Sequence, residues 1–256
     1  MKQPDWRWPH WTWPAGKRIA VVFNVCLEAW SDGKAPGISP MGNPLPAGAL
    51  DTMAISWAAY GVEVGVHRLM DGLANHGAKA SVMVNAIIAE HSPRTVRAVA
   101  DRGHEVLSHS YAMDVIPGLL SDEEERRNIA RCTKLLAEAG YRWYGDVFDF
   151  DLPRLISYGN STIVAIPLSY DVNDMPSMKY GHLPRMMLES YNEVIEIARA
   201  ASELRIIDVT CHAHIFGHHR GAYFYEKIIE QAMSSPDIWV ATRAEIADHV
   251  LSVMPA

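Results

Sequence analysis

Arg18-Ile19-Ala20-Val21-Val22-Phe23-Asn24-Val25, continued by Cys26-Leu27-Glu28-Ala29-Trp30, is the stretch that decides the fold. Its apolar residues run on without a break, as in a parallel strand covered on both faces. A half-exposed hairpin strand would alternate instead. The run ends in polar groups. Residues 31–50, with Gly33, Pro36, Gly37, Pro40, Gly42, Pro44, Pro46 and Gly48, then make a long loop. Loops of that length inside a domain are mostly functional or disordered.

Outward from this strand a βα rhythm sets in. Val66, Leu69, Met70 and Leu73 form a helical stripe within 65–76. Residues 80–84 read as a strand. Ser92-Pro93 opens a helix through Asp101, with proline at the first helical position, and 104–109 is a strand after Gly103. Ser121-Asp122-Glu123-Glu124 has capping-box spacing for a helix to Ala139 that Gly140 stops. Strands follow at 162–167, 206–211 and 238–240, with helices at 188–204, 223–233 and 243–253. The alternation predicts an α/β fold in which strands 19–25, 80–84, 105–109, 162–166 and 206–211 share one parallel sheet curved into a barrel. No repeat or linker divides residues 1–256, so one catalytic domain is expected. Trp6, Trp8, Trp11 and Trp13 mark residues 1–15 as an extended arm. Their rings would pack on the body or on a second subunit, or form a ligand-stacking platform.

With 49% hydrophobic and 21% charged residues in a chain of 256, a large core is available. A formal net charge of −7 and the lack of basic runs argue against nucleic acid and anionic membranes as partners. Cys26, Cys132 and Cys211 are odd in number and widely spaced, which points to a reducing compartment rather than a disulfide framework. No signal-peptide pattern opens the sequence, and no stretch of about 18 uncharged apolar residues occurs. A cytoplasmic homo-oligomer is expected.

Catalytic groups of such folds sit on the loops after the strands, and polar residues recur there. Glu28 follows the first strand, and His109 and Asp114 follow the third. Asp151 stands before Leu152-Pro153. Asp171, Asn173 and Asp174 follow the 162–167 strand, and His212 and His214 follow Cys211. Each has a bland reading: a solvated carboxylate, a core histidine on a carbonyl, or an Asx turn. Their convergence on strand exits is the stronger signal.

Carried by these residues, the chain resembles the polysaccharide-deacetylase (NodB-homology) superfamily from about residue 16 to 250. The matching motifs are Gly103-His104-Glu105-Val106-Leu107-Ser108-His109-Ser110, Tyr170-Asp171-Val172-Asn173-Asp174, Cys211-His212-Ala213-His214-Ile215-Phe216-Gly217 and Trp239-Val240-Ala241-Thr242-Arg243-Ala244-Glu245-Ile246-Ala247. Within it the chain is similar to the allantoinase-like branch. The resemblance implies a distorted barrel of seven parallel strands. It also implies a metal held by one Asp and two His, a second Asp as base and a late His as acid. This chain departs from that set, with Asn24, Cys26 and Glu28 for the Asp pair and Met113 where a second metal histidine is expected. A site of Glu28, His109 and Asp114 for a divalent metal such as zinc, or no metal at all, follows from the departure. An Arg-Pro-rich strand-and-loop segment after the helix at Cys132 looks lost, leaving the barrel incomplete.

The resemblance thus implies hydrolysis of a carbon–nitrogen bond other than a peptide bond, in a small-molecule amide, ureide or cyclic imide. His212 would be general acid, Glu28 base or metal ligand, and His109 ligand or oxyanion partner. Asp151 and Asp174 would orient the imidazole or the substrate. Arg220, His214 and Trp30 would bind substrate. Depth at the strand end favours His212 over His214 as the working histidine, with His214 otherwise capping the loop or packing near Phe216. The other readings are a deacetylase of N-acetylated sugars and a catalytically silent binding or assembly protein of the same fold.

Overall fold

The computed structural model describes residues 11–37, 45, 46, 48–136, 143–145, 147–158, 161–201 and 203–254. In chain order it runs β1 (Ile19–Leu27), α1 (Thr52–Tyr60), a π-helical turn (Gly61–Gly65), α2 (Val66–Asn75), β2 (Ser81–Val84), α3 (Ala86–His91), α4 (Pro93–Asp101) and β3 (Glu105–Ser108). There follow α5 (Asp122–Leu136), β4 (Trp143–Tyr144), β5 (Arg154–Tyr158), β6 (Ser161–Ala165), β7 (Val172–Asn173), α6 (Asp174–Lys179) and α7 (Pro184–Ala200). Last come β8 (Arg205–His212), α8 (His219–Ser234), β9 (Ile238–Ala241) and α9 (Arg243–Val253).

All nine residues of β1 are buried, as its unbroken apolar run requires. It is the hub of a parallel sheet of order β3-β2-β1-β8-β7, with β9 also on β1. The first half of β1 pairs with β9, its second half with β2, and its whole length to Cys26 with β8. Side chains alternate across it. Phe23, Val25 and Leu27 join Val82, Val84, Val209 and Cys211 in a core under the helices, which supply Val66, Leu69, Leu73, Tyr225 and Ile228. Ala20 and Val22 face the other way, into a second cluster with Val164, Ile166, Leu152 and Ile246. On that inner face Asn24 and Cys26 come next, and Glu28 follows just past the end of β1. The face therefore turns from apolar to polar toward the strand's C-terminal end.

The second cluster is closed by a smaller sheet, β4-β6-β5, in which β4 runs parallel and β5 antiparallel to β6. This corrects the expectation of one sheet. Within the 162–166 strand Val164, Ala165 and Ile166 are buried while Thr162 is exposed; its hydrogen-bonded partners are β4 and β5, and among the described residues no strand pairing links it to β8. Burial can be read from composition, whereas the identity of a partner cannot. A two-residue strand not foreseen from sequence, β4, follows α5 and pairs with β6. Two residues of strand leave no periodic signal, which is why it was not legible.

Trp13 plugs the second cluster, 1% exposed, with its indole N–H donated to the Arg205 carbonyl at 2.8 Å. Its ring lies 5.6 Å from those of Trp239 and His249. Of the tryptophan arm, Trp6 and Trp8 lie outside the described residues, as does the helix stop at Gly140. The capping box at Ser121 forms, Ser121 and Glu124 exchanging hydrogen bonds. Helices α1 and α3, not foreseen, occupy the connections on either side of α2 and β2. Among the described residues no helix is long and apolar enough to cross a membrane.

Candidate active site

Glu28 stands at the C-terminal exit of β1, 4% exposed, with three imidazoles around its carboxylate. The Nε2 of His109 is 3.4 Å from Oε1, that of His212 is 3.5 Å from Oε1, and that of His214 is 4.0 Å from Oε2. The fold dictates this meeting. Cys26 and His212 are register partners on β1 and β8, so their side chains share the inner face. His109 follows β3 on the far side of β2. There the backbone turns at Ser110, a non-glycine residue at φ 61°. Asn85, at the exit of β2, locks the arrangement by accepting the Ala29 N–H at 3.0 Å and donating to the His109 carbonyl.

Asp174 begins α6 directly after β7 and is fully buried. It accepts the His212 backbone N–H at 2.8 Å and lies 2.6 Å from His212 Nδ1. That contact fixes the imidazole with Nε2 toward Glu28. The environments of the two histidines differ. Burial pulls His212 down, but Cys26, Asp174 and Glu28 together push it well above the usual imidazole range. Burial also pushes the Cys26 thiol up. His214 is held down to about 4 by burial, which outweighs the attraction of Glu28. Glu28 is pushed up by burial yet ends at about 2, because His212 and the hydrogen bond from His109 stabilise its charge.

His214 is 1% exposed, and neither ring nitrogen has a hydrogen-bond partner among the described residues. Its ring meets the edges of Trp57 at 4.7 Å and Trp30 at 5.8 Å. The π-helical turn brings Trp57 there. A Cβ on Gly61 would lie 2.8 Å from the His214 backbone nitrogen, and one on Gly65 would lie 2.0 Å from the Ala213 carbonyl oxygen. Only glycine permits that approach. Trp30 also walls a cleft of about 190 Å³ with Ile55, Ala58, Ile87 and Ile88.

Cys26 Sγ, a Glu28 oxygen and a His109 nitrogen all lie within 4.8 Å of one another. Sulfur, oxygen and nitrogen donors of this kind suit a zinc-class ion.

Residues 54–148 match the family model described as polysaccharide deacetylase. The structure superposes on that of the Puue allantoinase with a TM-score of 0.85 and 22% identity, over 98% of this chain and 95% of the other. A structure described as a probable polysaccharide deacetylase from Pseudomonas aeruginosa PAO1 gives 0.85 and 22%, over 98% and 96%. The chain has the polysaccharide-deacetylase fold. The peptidoglycan deacetylase PdaC from Bacillus subtilis is similar at a lower level, with a TM-score of 0.50 and 16% identity over 91% and 90%. A sequence search of curated proteins finds no match.

On this polysaccharide-deacetylase fold the structure brings Glu28, His109, Asp174, His212 and His214 together, with Trp30 beside them. It does not bring in Asp114, which is exposed and accepts the Ser31 N–H at 2.8 Å. Replacing Asp114 in the candidate metal set is Cys26, two residues before Glu28 and on the same strand face. Asp151 is exposed in a different groove, of about 400 Å³, with Phe150, Tyr170, Asp171 and Asp208. Asp171 binds Ser169 there, and Asn173 caps α6. Arg220 is exposed on the first turn of α8. Sequence reasoning missed Asn85 and Trp57 as well as Cys26. Asn85 is a polar residue directly after a strand, so the strand-exit rule reaches it. Trp57 carries no such mark.

Proposed function

We propose that the chain hydrolyses a carbon–nitrogen bond other than a peptide bond in a small-molecule amide, ureide or cyclic imide. One observation carries the reading: a buried carboxylate, Glu28, is ringed by three imidazoles, one of them oriented by a second buried carboxylate. Amide hydrolysis needs a placed water, a stabilised oxyanion and a proton for the leaving nitrogen.

His212 supplies the proton. Its Nδ1 is engaged by Asp174, so Nε2 is the atom that faces the reacting group, and Asp174 offsets the positive charge of the imidazolium. Glu28 is held as a carboxylate and is suited to hold the attacking water against the carbonyl carbon. His109, half-exposed at the same carboxylate, donates to the developing oxyanion. Trp30, Trp57 and His214 form the wall for the planar amide, His214 offering unpaired ring nitrogens to its polar edge. Were a divalent ion held by Cys26, Glu28 and His109, it would take the place of the His109 hydrogen bond in polarising the carbonyl and would activate the water. Asp151 and Arg220 are then left to substrate parts outside the cluster.

An N-acetyl-sugar deacetylase is the second reading, favoured by the family model over residues 54–148. The two are separated by assaying the purified chain over ureides, cyclic imides and N-acetyl sugars, following ring opening, ammonia or acetate. Turnover of ureides or imides alone supports the proposal. Acetate release alone moves the assignment to the sugar deacetylase.

A further inference from the structure

We propose that Cys26 is a metal ligand, completing with Glu28 and His109 a sulfur–oxygen–nitrogen site for a divalent ion of the zinc class. The inference shares its cluster with the hydrolase reading and deepens it, but metal binding is measured without turnover. Buried cysteines mostly behave as small hydrophobes, and Cys211 does so here, facing the helices among Val25, Val209 and Tyr225. Cys26 is different. It belongs to the inner face of β1, between Asn24 and Glu28, and its Sγ is grouped with a Glu28 oxygen and a His109 nitrogen inside 4.8 Å. Tetrahedral zinc sets its ligand atoms about 3.5 Å apart, given bonds of roughly 2.0–2.3 Å. The three donors, within 4.8 Å of one another, need move inward by only about 1 Å to reach that spacing.

The surroundings match those of a metal site. Glu28 and Cys26 are both 4% exposed, so a bound ion would be shielded from bulk water. Asp174 on His212 Nδ1 is the carboxylate–histidine pairing that orients imidazoles beside metals. The buried ring nitrogens of His214, unpaired at 4.0 Å from Glu28, leave a donor-rich space on the other side of the carboxylate. A thiolate in the set selects zinc or cobalt over magnesium and calcium. On binding, the thiol proton passes to solvent as the sulfur–metal bond forms.

The test strips the full chain with a chelator and reloads it with Co²⁺ or Zn²⁺. The wild type should take up about one equivalent and, with Co²⁺, show a near-ultraviolet sulfur-to-cobalt charge-transfer band. Cys26→Ser should lose that band and weaken Zn²⁺ binding roughly 100-fold or more, while Cys132→Ser and Cys211→Ser keep both. Should Cys26→Ser fail to fold, the wild-type band together with its retention in the other two variants identifies the sulfur. No metal uptake by the wild type, or an unchanged spectrum in folded Cys26→Ser, overturns the proposal. Hydrolysis without metal uptake would overturn this inference and leave the hydrolase reading standing. Uptake through Cys26 without hydrolysis would do the reverse.

Discussion

Asp174 meets His212 twice, at the backbone N–H and at Nδ1, and so holds one ring in one orientation. His214, two residues on, has no such support and stands instead between two tryptophans. The pair should therefore separate kinetically. His212→Ala is expected to lower kcat by the ~10²–10⁴-fold typical of losing a general acid. His214→Ala should raise KM with a smaller effect on kcat. Steady-state kinetics on the substrate found in the panel checks both, and equal small effects would remove the division of roles. Strand-exit position was enough to name Glu28, His109, Asp174, His212 and His214 from sequence. It was not enough for Asp114, because proximity in the chain says nothing of which loop amide a carboxylate will bind. The sulfur of Cys26 was hidden by its place within an apolar run.

At the scale of elements, the packing of the π-helical turn on residues 213–217 sets the position of Trp57 and His214. Gly65→Ala would drive a methyl group to within 2.0 Å of the Ala213 carbonyl, and backbone cannot yield as a flexible side chain does. The variant should lose roughly 1–3 kcal/mol, the range for overpacking, despite the helix propensity gained. Urea denaturation measures it, and a gain in stability would contradict the packing. A second element carries a pH effect. At the start of β3, His104 is buried and its Nδ1 accepts the Ala80 N–H at 3.2 Å, which requires the neutral ring. Burial, with Lys79 and Arg102 nearby, pulls it to about 4 from an ordinary 6.5. The unfolded chain therefore takes up the proton first. Its contribution is complete above pH 6.5 and is lost as pH falls toward 4, by up to about 1.4 kcal/mol per pH unit. His104→Gln should flatten the stability profile in that window, and an unchanged slope would exclude His104 as its source. Strand and helix positions were largely legible because burial writes period and composition into sequence. The pairing of β5 with β6 was not legible, because two five-residue strands carry little periodic signal.

For the whole molecule, the question is what joins the two sheets across the second cluster. Arg243, at the start of α9, enters it fully buried. It bonds Asp208 of β8 at 2.6 Å, Asn24 of β1 at 2.9 Å and the Ile166 carbonyl beyond β6 at 3.2 Å, with its guanidinium 5.3 Å over Trp143 of β4. Arg243→Met should cost about 3–5 kcal/mol, because it strands the Asp208 charge in the interior. Adding Asp208→Asn should recover part of that loss, as equilibrium denaturation of the single and double variants would show. The Puue allantoinase and Pseudomonas aeruginosa structures match this fold over 95–96% of their own length. The proposed activity turns on Glu28, whose carboxylate His109, His212 and His214 all face. The most direct measurement compares wild type with Glu28→Gln, which keeps shape and removes charge, by pH-stat or ammonia release on the amide, ureide and imide panel. Turnover of at least one class by the wild type is expected, with a fall of ~10²-fold or more in folded Glu28→Gln. Equal turnover by the two proteins, or none by the wild type on any compound, would contradict it and leave a silent binding protein on a hydrolase fold.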